Sequence, residues 1–101
     1  MIKKQFLKSK PVCKVTFSIG PEGADQAENV ELVGEFSDWT KSPISMKKLK
    51  NGTFKTTIDL ETGKDYQFRY VIDGAKWEND WEADSYVPNN VTYDENSVVS
   101  L

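Results

Sequence analysis

Short runs in which apolar and polar residues alternate, punctuated by turn formers, dominate the chain. A period of two is the mark of a half-buried β-strand, and helical periodicity is almost absent. Residues 12–19 put Cys13, Val15, Phe17 and Ile19 on one face and Lys14, Thr16 and Ser18 on the other. Residues 20–29, small and acidic with Pro21 and Gly23, read as a loop. A second run at 30–34 leads into 35–43, a stretch without period that carries Phe36 and Trp39. Runs at 46–49 and 53–60 flank Asn51-Gly52, a strong hairpin dipeptide, and Phe54, Thr56, Ile58 and Leu60 share a face. Thr62-Gly63 turns into 65–73, where Tyr66, Phe68, Tyr70 and Ile72 alternate with Gln67, Arg69 and Val71. Asp73-Gly74 turns again toward 76–78, and 96–101 reads as a terminal strand. With no βαβ unit and no repeat, the pattern predicts an all-β, immunoglobulin-like antiparallel sandwich of about seven or eight strands. Phe17, Leu32, Phe54, Ile58, Phe68, Tyr70 and Val99 are its expected core.

A chain of 101 residues supports one core. The expected division is a basic segment, 1–11, ahead of a single domain, 12–101. No apolar stretch exceeds a few residues, which argues against a membrane partner. The net charge of −3 argues against nucleic acid, whose binders carry a basic excess. The absence of histidine removes Ser-His-Asp and Cys-His catalysis and histidine metal sites. Cys13 is alone, so no internal disulfide is available, and it reads as a buried small hydrophobe. Met1–Lys14 has five lysines and no apolar signal core, so a cytoplasmic setting is expected, and the sequons at Asn51 and Asn90 are then chance matches.

Carboxylates are the remaining catalytic candidates. Glu78, Asp80, Glu82 and Asp84 would line one face of a strand. A retaining glycosidase needs two carboxyls about 5–5.5 Å apart, one in a shielded setting, and nothing in the pattern puts any of the four in a buried place. As a calcium loop the run fails, since Ser85 and Val91 stand where Gly and Glu are required. The scattered glycines make no phosphate-binding order. No catalytic residue, metal or cofactor is expected.

Three tryptophans are more than so small a core needs. Trp39 falls in a loop, and Trp77 and Trp81 in the most acidic segment. An exposed indole generally meets a partner, and its flat apolar face suits the C–H face of a pyranose. Core packing is the alternative for each.

The stretch Val-Glu-Leu-Val-Gly-Glu-Phe-Ser-Asp-Trp at 30–39 resembles the "V-x-L-x-G-x-F-N-x-W" opening of carbohydrate-binding module family 48. This early-set domain fronts isoamylases and glycogen branching enzymes and is the glycogen-binding domain of the AMP-activated protein kinase β subunit. Pro43–Leu49, Asn51-Gly-Thr-Phe54, Tyr66-Gln-Phe-Arg-Tyr-Val-Ile-Asp-Gly74, Trp77 and Glu95–Val99 continue the likeness. The resemblance implies a non-catalytic module that binds α-1,4-glucan, as glycogen, starch or a maltooligosaccharide. Trp39 and Trp77 would stack on sugar rings, while Arg69 (a Lys in the family) and Asn96 would meet hydroxyls. Relatives attached to glycoside hydrolase family 13 enzymes suggest a glucan-metabolising enzyme as a possible partner. A module of the same fold that only packs against another protein is the alternative.

Overall fold

The computed structural model describes residues 1–24, 27–89 and 94–101. Ten strands follow in chain order among them: β1 (Ile2–Phe6), β2 (Val12–Ile19), β3 (Val30–Gly34), β4 (Ile44–Ser45), β5 (Lys47–Lys48), β6 (Phe54–Glu61), β7 (Asp65–Ile72), β8 (Lys76–Glu78), β9 (Ser85–Pro88) and β10 (Glu95–Ser100). They form two antiparallel sheets, ordered β1-β2-β6-β5 and β4-β3-β7-β10-β9, with β8 also paired to β7. The sheets close on one core, so the fold is the antiparallel sandwich that the alternation predicts.

Cys13, Val15, Phe17 and Ile19 of β2 face Phe68, Tyr70 and Ile72 of β7 across that core. The Phe17 and Phe68 rings meet edge to face at 4.9 Å, and Phe68 meets Tyr70 at 5.7 Å. Leu32, Phe54 and Val99 are also buried, and Ile58 packs on the cluster while partly exposed. Two turns are built as their residues require. Gly52 takes φ +88°, while the Asn51 side-chain oxygen accepts the Thr53 N–H. Asp73 and Gly74 are both left-handed, the geometry of a two-residue hairpin turn.

Residues 1–11, set apart above as a basic segment, contribute β1, which pairs with β2 from Ile2↔Phe17 to Phe6↔Cys13. Lysine on an edge strand resists unwanted edge pairing, and Lys4 bonds Asp84 at 2.7 Å. The loop at 20–29 includes a short helix, Pro21–Ala24, whose Gly23 and Ala24 are buried. The acidic run does not form one exposed strand face. β8 stops at Glu78, and Asp80 turns inward to 1% exposure. There its carboxylate accepts the Tyr70 hydroxyl and the Met1 amino group, both at 2.6 Å, and the Glu82 N–H at 2.8 Å. Those donors give the buried carboxylate the hydrogen-bond partners that burial requires.

Candidate functional site

The strand register decides which side chains leave the core. Phe68, Tyr70 and Ile72 of β7 point inward, so Gln67, Arg69 and Val71 point out of the second sheet. Val71 pairs with Trp77, which puts Trp77 on the same outer face. Ser97 pairs with Phe68 and Val99 with Tyr66, so Asn96 and Val98 of β10 are on that face too.

At Arg69 the sheet forks. One side of β7 pairs with β3 from Phe68 to Ile72. On its other side β10 covers Asp65 to Phe68, and β8 takes over from Tyr70 to Ile72. Arg69 stands between the two and bridges back to β10. Its Nε donates to Asn96 Oδ1 at 2.7 Å, and Nη2 donates to the Glu95 carbonyl at 2.6 Å. Asn96 Nδ2 in turn donates to Gln67 Oε1 at 3.0 Å. The three side chains form a chain of charge-assisted and amide bonds that fixes which way the Asn96 amide faces. Asn79 stitches the fork from the β8 side. Its Nδ2 donates to the Glu95 carbonyl at 2.8 Å, and its Oδ1 accepts the Ser97 N–H at 2.9 Å.

Trp39 arrives from beyond β3. Gly34 must be glycine, because a Cβ there would lie 2.6 Å from the Gln67 carbonyl oxygen. The chain then makes a 3-10 turn, Glu35–Ser37, and both Asp38 and Trp39 adopt left-handed backbone angles, φ 50° and 55°. Such angles are rare for a bulky residue and need outside support. Ser37 supplies it: its hydroxyl, nearly buried, accepts the Gly34 N–H at 3.1 Å and lies 2.9 Å from the Trp39 carbonyl oxygen it can donate to. This serine stands where the resembled pattern has asparagine.

All four residues singled out in the sequence, Trp39, Arg69, Trp77 and Asn96, line one hollow of about 610 Å³. Arg69 and Asn96 are 8% and 5% exposed, Trp39 is half-buried, and Trp77 is 42% exposed. Two indoles therefore stand at the surface around a buried, hydrogen-bonded polar pair. Among the described residues, Thr40, Asn89 and Asp94 also line it. The sequence reading left these three out, along with Gln67, although Gln67 lies two residues from Arg69 and so had to share its face. Trp81, 63% exposed, lies elsewhere, in a separate hollow with Met1, Tyr70 and Asp80. No group of metal-ligating side chains occurs among the described residues.

Residues 22–99 match the family described as the glycogen recognition site of AMP-activated protein kinase. The chain belongs to that family. It is a family of carbohydrate-binding modules and not of catalysts. The chain is also 33% identical over 64 residues to Protein PTST homolog 2, chloroplastic, of Arabidopsis thaliana, a match that covers 63% of this chain and 11% of the relative. Among solved structures it is similar to the enterobactin esterase of Shigella flexneri, crystallised with enterobactin and with 2,3-dihydroxy-N-benzoyl-serine. Each superposition has a TM-score of 0.74 at 12% identity and covers 99% of this chain but 32% of the esterase. At that identity the likeness is one of fold. The chain thus spans about a tenth of the Arabidopsis relative and about a third of the esterase that shares its fold.

Proposed function

We propose that the chain binds α-1,4-glucan of the glycogen or starch type through the Trp39–Trp77 hollow, without acting on it. The observation that carries this reading is the convergence of two surface indoles and the Arg69–Asn96 pair on one outer face. A pyranose presents an apolar C–H face and a rim of hydroxyls, and such a ligand needs both kinds of surface at once. Trp39 and Trp77 would stack on sugar rings. Arg69 uses Nε–H and one Nη2–H within the protein and keeps other donors for hydroxyl oxygens, and Asn96 keeps one N–H and an oxygen lone pair. A glucan-metabolising enzyme would be the partner beside which the module works, in a cytoplasmic setting that suits the free, buried Cys13. The competing interaction-module reading asks for one continuous apolar surface around Trp77 and Trp81, but these line separate hollows, so the glucan reading leads.

Migration in native gels containing glycogen tests it. Trp39→Ala and Trp77→Ala should each lose about 1–3 kcal/mol of stacking, with base–aromatic stacking as the nearest analogue. That is about fivefold to more than a hundredfold in affinity. Trp81→Ala should be retarded like the parent. Circular dichroism establishes that each variant keeps its β spectrum. Parent-like retardation of both folded variants would remove these indoles from the site, and the interaction-module reading would then lead.

A further inference from the structure

Arg69 is a cation more than nine-tenths buried, and among the described residues no carboxylate lies within 4.0 Å of its guanidinium. Residues 90–93, Asn-Val-Thr-Tyr, carry no acid either. Buried charges are as a rule paired, because leaving water uncompensated is costly. Here the compensation is two neutral acceptors, Asn96 Oδ1 and the Glu95 carbonyl, which engage two of five N–H groups. No fully buried side-chain nitrogen or oxygen in the described structure lacks a partner, so Nη1, which has no bond among those described, is not enclosed, and Arg69 lines the hollow.

We infer that the hollow accepts an anionic substituent on the glucan, a phosphomonoester on a glucose unit, seated on Arg69 between the two indoles. This rests on the glucan reading of the same site. A phosphomonoester carries about −1.5 to −2 charge near neutral pH, and the planar guanidinium fork matches its oxygens in a way that an ammonium does not. A neutral sugar would use the same donors but leave the charge uncompensated. Asp94, on the exposed rim of the hollow, opposes an anion and limits the gain.

Calorimetric titration of the full chain compares maltoheptaose with maltoheptaose carrying one 6-phosphate. At 50 mM salt the phosphorylated sugar should bind at least tenfold tighter, and at 500 mM salt that preference should fall below threefold. Arg69→Gln should abolish the preference, and Asp94→Asn should widen it. If the glutamine variant does not fold, the salt dependence and the Asp94→Asn ratio decide. Equal or weaker binding of the phosphorylated sugar, with maltoheptaose still bound, overturns the inference and leaves the glucan reading standing. So does a preference that survives in folded Arg69→Gln. Binding of the phosphorylated sugar alone supports the inference. A folded parent that binds neither sugar overturns the glucan reading and the inference with it.

Discussion

Arg69 and Tyr70 are neighbours on β7 that face opposite ways, and each is held by a different polar partner. Outward, Arg69 orients Asn96 and so sets the polar half of the hollow. Inward, Tyr70 donates to buried Asp80 at 2.6 Å. Burial first, then the Asp80 charge and the hydrogen bond to it, hold the Tyr70 hydroxyl well above the usual 10 of tyrosine. Because the folded state retains this proton more tightly than the unfolded chain, the associated stability is fully present below pH 10. It is lost as pH rises through the folded value. Melting curves from pH 8 to 12 should therefore show the parent losing stability above pH 10 more steeply than Tyr70→Phe. At pH 7 the phenylalanine variant should be about 1–3 kcal/mol less stable, since Asp80 loses a donor in a buried place. Parallel pH profiles for the two proteins would contradict this.

At the scale of elements, legibility followed local pattern. β2 and β6 each bury one face more than the other over eight residues, so alternation declares them. β7 is declared by its residue types, Tyr66, Phe68 and Tyr70 against Gln67 and Arg69, although both of its faces are buried from Phe68 to Ile72. Asn51-Gly52 and Asp73-Gly74 declare their turns because only a few residues tolerate left-handed angles. β1, β4 and β9 were not legible. β1 is an edge strand whose IKKQF burial is only partial, and β4 is two residues long. Asp80 also defied the pattern, since its inward turn depends on Tyr70, on β7 ten residues back, and on Met1, 79 residues away. Of the site, Trp39, Trp77, Arg69 and Asn96 could be named from sequence, by resemblance. The fork between β8 and β10 could not, because it is a matter of which strand leaves off pairing with β7.

β1 itself offers a test of how this edge is held. Burial acts to raise the Asp84 carboxyl, but hydrogen bonds from Lys4 and the Ser100 N–H, with the Lys4 charge, bring it below its usual 3.8. A lowered carboxyl value stabilises the fold above the unfolded value, and the contribution is lost as pH falls through the folded one. The pair is about a third exposed and screened, so about 0.5 kcal/mol is expected. Asp84→Asn should accordingly melt about 2–4 °C lower at pH 7. The difference should shrink as pH falls below 3.8, and a difference that stays constant would contradict the assignment.

For the molecule as a whole, the sandwich is a platform whose core and binding face are separate layers. Inward residues of β7 stabilise it, and outward residues of the same strand would meet the ligand. A neutral glucan displaces no bound counterions, in contrast to a polyanion. Glycogen binding by the parent should therefore change less than threefold between 50 and 500 mM salt. The same protein should release no reducing sugar from glycogen, starch or pullulan. The one deeply buried acid among the described residues, Asp80, has its carboxylate occupied by Tyr70, Met1 and Glu82. Hydrolysis that disappears in Asp80→Asn would contradict that expectation.

The most direct measurement is a nuclear magnetic resonance titration of the ¹⁵N-labelled chain with maltoheptaose, read at the three indole N–H signals and assigned by single Trp→Phe variants. The Trp39 and Trp77 indoles should shift together and saturate with one affinity, along with the Arg69 Nε–H and the Asn96 amide. The Trp81 indole, in its separate hollow, should stay in place. Saturable shifts confined to Trp81 and its surroundings, or no shift at any indole at ligand concentrations that saturate binding, would contradict the account.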